Sequence, residues 1–185
     1  MQYAGYERLI TLEEEKSDDI MSESWVLVQL NPAGKLIIPT ASKVKPCFYR
    51  GSFEPSSYQI SSSHLLIDID GKNQYKFGIK APFIQGRMGY FHQLNETQSY
   101  LLVLSFFNNP SSYYCEEPPQ RVGEHGFSVH DSGSLGGFGE MEVNGQTIGG
   151  VTHKKKASDS FLLWAYVGKT KQIKQIANLL LGVTP

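Results

Sequence analysis

Apolar, β-branched and aromatic residues recur along most of this chain in short runs broken by turn residues, which is the pattern of antiparallel strands. The runs predict strands near 5 to 12, 25 to 30 (WVLVQL), 35 to 39 (KLIIP), 64 to 69 (HLLIDI) and 74 to 80 (QYKFGIK). Further strands are predicted near 89 to 94 (GYFHQL), 99 to 107 (SYLLVLSFF), 126 to 131, 137 to 144 and 160 to 167 (SFLLWAYV). Many strands with little helix imply an all-β architecture, read here as an antiparallel β-sandwich in one domain. In the link DGKN, Asp70 and Gly71 suit a tight connection and predict a hairpin over 64 to 80.

Only the end of the chain departs from a period of two. In TKQIKQIANLLLGV the apolar residues Ile173, Ile176, Ala177 and Leu180 fall at i, i+3, i+4 and i+7. A helix over 170 to 181 should lay Ile173, Ile176 and Leu180 on sheet, with Thr170 capping its start and Gly182 forming a left-handed C-terminal cap. The stretches 108 to 125, broken by three prolines, and 145 to 159 read as long loops, which on a β scaffold commonly carry function. The opening, YAGYERLITL at 3 to 12, reads as strand with no polar lead-in. It predicts an exposed edge that pairs with a second copy or leaves residues 1 to 4 disordered, and a chain that has lost an N-terminal part.

Composition narrows the function classes. A chain of 185 residues can bury a sizeable core without a disulfide or metal. Its formal net charge is −1 and its one compact basic run is HKKK at 153 to 156, which argues against a nucleic-acid partner. The longest apolar stretches are far shorter than the ~20 residues of a membrane span, and the start lacks a basic, apolar, small-residue export signal. Cys47 and Cys115 belong to no CxxC or Cys/His array, so neither zinc nor a disulfide framework is indicated, and no glycine pattern calls for a dinucleotide cofactor.

The stretch GGFGEMEVNGQTIGG at 136 to 150 carries the most suggestive chemistry. In an extended strand Phe138, Glu140 and Glu142 share one face, while Met141 and Val143 share the other and seek the core. Two acids ~7 Å apart on one face make best sense with something polar opposite them: Arg or Lys, a metal, or a sugar's hydroxyls. The surrounding glycines remove bulk and would let a ligand or a strand approach closely. Just upstream, EHGFSVHD at 124 to 131 holds His125 and His130 five apart, on opposite faces of a continuous strand, so they cannot grip one metal. Glu124 and His130 could share a face, and His130 stands as an acid, base or hydrogen-bond donor near Glu140. Arg50, Lys76, Lys80, Arg87 and His92 lie on or beside strands and could furnish the donors the two glutamates want. Trp25, Tyr49 and other aromatics offer faces on which sugar rings stack.

Phe127 to Val183, with GGFGEMEVNGQTIGG, the strand SFLLWAYVG and the helix IKQIANLLLGV, resembles the C-terminal end of uncharacterised bacterial proteins in the galactose mutarotase-like superfamily. GYERLITLEEEKSDDIMSESWVLVQLNPAGKLIIPT, DGKNQYKFGI and YLLVLSFFNNP resemble them too, so the likeness spans most of this chain and the later part of a longer family member. The resemblance implies a β-supersandwich whose concave face binds carbohydrate, with Glu142, or else Glu140, in the place of a mutarotase's glutamate base. In such enzymes a histidine protonates the ring oxygen while the glutamate takes the anomeric proton. The NHxxFNL-like strand bearing that histidine has no match here, where SESWVLVQLN stands instead; His92 and His130 are the residues that could replace it. The expected function is a carbohydrate-recognising domain of unknown or absent catalysis, with two alternatives: an aldose 1-epimerase-like isomerase using Glu142, and a structural half-domain that binds a partner through its first strand.

Overall fold

The computed structural model describes residues 1 to 16, 19 to 115 and 125 to 185. Its strands are β1 (Gln2–Glu13), β2 (Trp25–Leu30), β3 (Gly34–Pro39), β4 (Cys47–Arg50), β5 (Tyr58–Ile60) and β6 (His64–Ile69). They continue with β7 (Gln74–Gly78), β8 (Arg87–Gln93), β9 (Gln98–Phe106), β10 (Phe127–Ser132), β11 (Gly139–Asn144) and β12 (Lys156–Lys169), and the chain closes with helix α1 (Thr170–Leu181). The expected strands form, extended at several ends, and the expected antiparallel β-sandwich with one C-terminal helix is what they build. The short β4 and β5 lack a long apolar run and were not predicted as strands.

All strand pairs are antiparallel, in a seven-stranded sheet ordered β1-β12-β9-β8-β3-β6-β5 and a five-stranded sheet ordered β2-β11-β10-β7-β4. The alternation read from sequence sets the inner faces. Leu36, Ile38, Leu65, Ile67, Ile69, Met88, Tyr90 and Leu104 of the larger sheet meet Val26, Leu30, Tyr75, Phe77, Phe127, Val129, Met141 and Val143 of the smaller in one buried cluster. On the outer face of the larger sheet, Ile37, Phe91, Leu101 and Val103 receive the helix through Ile173, Ala177 and Leu181. The buried stripe is therefore turned slightly from the expected one, leaving Ile176 and Leu180 at its margin. Gly182 adopts the left-handed cap at φ 71°. Thr170 does not cap: it is the first helical residue, and its hydroxyl lies 2.9 Å from that of Ser99.

The hairpin expected over 64 to 80 does not form, because β6 belongs to the larger sheet and β7 to the smaller. Both strands point apolar side chains at the common core, so the link arches across the sandwich. Its turn chemistry is as expected, with Asp70 Oδ1 accepting from Lys72 N at 2.8 Å and Gly71 at φ 65°. The arch is pinned by Asp131, a fully buried carboxylate at the end of β10 that accepts from Gly133 N at 2.9 Å and from Gly71 N at 3.3 Å. One side chain thus ties the β6–β7 link to the β10–β11 turn and fixes the end of the strand pair whose second member carries both glutamates.

Burial raises the Asp131 carboxyl above its ordinary 3.8, the amides of Gly133 and Gly71 oppose that rise, and Asp70 adds to it. A raised native value means the folded protein holds this proton more tightly than the unfolded chain. Its contribution to stability is complete at acid pH and is lost as pH rises through the native value. In denaturant titrations across the acid range, Asp131→Asn should therefore gain stability relative to the parent as pH increases; a variant that loses ground with rising pH contradicts this.

Candidate functional site

Strands β2, β11, β10, β7 and β4 present their polar alternates on the outer face of the smaller sheet, where no described helix lies. Register builds the site directly. Gln29, Glu140, His130, Lys76 and Arg50 form one continuous rung across the five strands. The adjacent rung runs Leu27, Glu142, Ser128, Gly78 and Cys47. Met141 and Val143 face the core as expected and are fully buried.

Glu142 is buried, at 1% exposure, although it stands on an outer face. Its Oε2 accepts from the Lys76 ammonium and from the Trp25 indole Nε1, each at 3.1 Å. Lys76 reaches it diagonally from the neighbouring rung, and Trp25 comes from the start of β2 with 58% of its surface exposed. Gly78 is the permissive position beneath: a Cβ there would sit 2.3 Å from the Tyr49 hydroxyl, so glycine lets that ring lie down on the sheet. Beside this anchor, Glu140 Oε2 lies 2.8 Å from His130 Nδ1, and both side chains are partly open to solvent. Trp25, Tyr49, Arg50, Lys76, His130 and the two glutamates enclose a cleft of about 360 Å³. Two depressions are larger, about 540 Å³ beside residues 13 to 16 and about 510 Å³ along the helix, but neither has a buried ionisable side chain in its lining.

Five of the predicted site residues therefore converge: Glu142, Glu140, His130, Lys76 and Arg50. Arg87 and His92 do not, because β8 belongs to the other sheet. Arg87 donates from Nη1 to the Leu180 carbonyl at 2.7 Å, tying down the end of the helix. His92 stacks on Tyr100, with ring centroids 5.0 Å apart. His125 precedes β10 and packs edge-on against Tyr49, so the opposite-face argument made for a continuous strand does not apply to it. Glu124 lies outside the described residues. Two of the glycines around the acidic strand serve packing: a Cβ on Gly139 would meet Ile69 of the facing sheet at 2.5 Å, and one on Gly145 would meet Asp159 and Ser24 at 2.1 Å. What the sequence reading missed is that Trp25 stands beside Glu142 and donates to it. Counting back by two from Gln29 through Leu27 places it on the same face as the glutamates.

Chemically, the cleft offers one anchored carboxylate, one carboxylate–imidazole pair able to exchange a proton, an exposed indole face and an exposed guanidinium. Ligand-type atoms of His130, Glu140 and Glu142 lie within 4.8 Å of one another, a spacing a cation could bridge. Positive charge is already supplied there by Lys76. Compared with protein-family models, curated proteins and solved structures, the chain matches none.

Removing either partner of a buried ion pair strands the other, whereas removing both relieves the cost. Lys76 is partly solvated, which tempers the effect. Lys76→Met and Glu142→Gln should each destabilise, and a double-mutant cycle read by chemical denaturation should give a coupling of about 1–3 kcal/mol. Strictly additive effects would mean that the two side chains do not hold each other.

Proposed function

We propose that this cleft recognises carbohydrate. The observation that carries the reading is the pairing of an exposed Trp25 ring with the carboxylate it donates to, Glu142, in a cleft that also holds Glu140 and Arg50. An indole face packs on the apolar C–H surface of a sugar ring, while carboxylates accept from its hydroxyls and a guanidinium donates to its oxygens. Glu140 and Arg50, the more open groups, make the direct contacts; Glu142, held by Lys76, orients the indole. The resemblance of the acidic strand to those of galactose mutarotase-like proteins supports the same ligand class.

A second reading, an aldose 1-epimerase-like isomerase with Glu142 as base, gains support from His130. Of the two histidines that could serve as acid, His130 stands within the same cluster as both glutamates, while His92 lies on the other sheet. Isomerisation needs one group to take the anomeric proton and another to protonate the ring oxygen.

Calorimetry with monosaccharides, and polarimetry of fresh α-galactose and α-glucose, separate the readings. A binding module should give heat with at least one sugar and lose about tenfold or more in affinity in Trp25→Ala and Glu140→Gln, with no acceleration of mutarotation. An isomerase should keep much of its binding in Glu142→Gln and lose most turnover. Absence of both heat and acceleration would leave the acids as a structural ion-pair cluster.

A further inference from the structure

The edges of the two sheets are not alike. At the far edge of the larger sheet β5 has three residues, and in the smaller sheet β4 has four, with a register shift between Phe48 and Arg50. β2, the other edge of the smaller sheet, has six. Short or irregular edges are how sheets avoid further pairing. β1 is the exception. Its twelve residues pair one-to-one with β12 without a bulge, contain neither proline nor lysine, and leave the opposite row of backbone groups unpaired by any other strand among the described residues. Both of its faces carry exposed apolar side chains: Tyr3 at 66%, Tyr6 at 54% and Leu9 at 74%.

We propose that β1 is a dimerisation edge that pairs antiparallel with β1 of a second copy, about a two-fold axis at Tyr6, joining the two larger sheets into one. The occupant and the register follow from the side chains. Residues directly opposite each other share a face, so a two-fold at residue n places n against itself. At Glu7 or Arg8 it sets like charges face to face, which is unfavourable. At Leu9 it leaves Tyr3 beyond the overlap, and at Gly5 it sets Tyr3 against the Glu7 carboxylate and Leu9 against Met1, outside the strand. At Tyr6 it pairs Tyr6 with Tyr6, Tyr3 with Leu9, Arg8 with Ala4 and Glu7 with Gly5, covering all three exposed apolar residues with no like-charge pair. Tyr3 already lies beside Trp164 and Tyr166, at centroid distances of 6.3 and 6.4 Å, so the Leu9 of the second copy extends an existing aromatic patch. The contact is isologous and closes on itself, so it yields a dimer and no filament. It rests on the sheet edge and not on the carbohydrate reading.

The test uses the full chain. Light scattering over a concentration series should show a monomer–dimer equilibrium, weakened at least tenfold in Tyr6→Lys, which sets two ammonium groups face to face, with the melting temperature little changed. In a Cys47→Ser/Cys115→Ser background, oxidised Tyr6→Cys should form a disulfide dimer. Leu9→Cys alone should not, whereas mixing it with Tyr3→Cys should give the mixed dimer. The cross-linking arm stands even if Tyr6→Lys fails to fold. A chain that stays monomeric at every concentration overturns the proposal and leaves the edge to a strand from a different protein. A dimer that cross-links through Leu9→Cys alone overturns the register, and one that cross-links at neither position overturns the surface.

Discussion

A carboxylate buried on the outer face of a sheet is the constraint on which the candidate site depends. Glu142 has no core to belong to, yet it is withdrawn from water and must be compensated locally. The compensation comes from two other strands: the ammonium of Lys76 on β7 and the indole N–H of Trp25 on β2. Those strands flank the β10–β11 pair, so satisfying one charge requires four strands to hold a single register. A one-residue slip of β11 would send Glu142 into the core and bring Met141 or Val143 out to the cleft. The core pattern and the buried charge therefore specify the same register, and the remaining cleft residues follow from it rung by rung.

Among the described residues, the one α-helix packs away from this face. The helix spends its apolar stripe on the outer face of the larger sheet, and Arg87 fastens its last turn there. Asp131 joins the arch at 70 to 73 to the turn after β10, so the loops at that end of the cleft are tied to the scaffold. The ionisable cluster thus sits on regular strands, whose positions are set by backbone ladders, an arrangement suited to holding side chains in fixed relation.

How much of this was legible in the sequence depends on whether the information is local. Period-two alternation placed Met141 and Val143 inward and the two glutamates outward, and period 3.6 gave the helix its bounds. Neither period says which sheet a strand joins. Asp70 and Gly71 make the same tight turn whether the chain folds back on itself or crosses the sandwich, so the expected hairpin proved to be an arch. The same blindness grouped Arg87 and His92 with Arg50 and Lys76, because all four are polar residues on or beside strands, and neither the sheet a strand joins nor the face each side chain takes on β8 was read. The glycines were open to two readings, and the space beside Gly139 and Gly145 turned out to be filled by Ile69, Asp159 and Ser24. The Thr170 cap failed because tertiary contact with Ser99 and the last strand, running straight into the helix, took precedence over the local capping preference.

The chain has two tryptophans, and they sit apart: Trp25 in the cleft on the smaller sheet, and Trp164 on β12 of the larger. This makes the indole N–H resonances a direct and internally controlled probe of the central claim, that the Trp25–Glu142 anchor forms the floor of a sugar site. In a titration with monosaccharides followed by ¹H–¹⁵N correlation spectra, the Trp25 Nε1–H signal should shift saturably while that of Trp164 stays fixed. A Trp25 signal unmoved by every sugar tried, or one that moves only together with Trp164, would contradict the account.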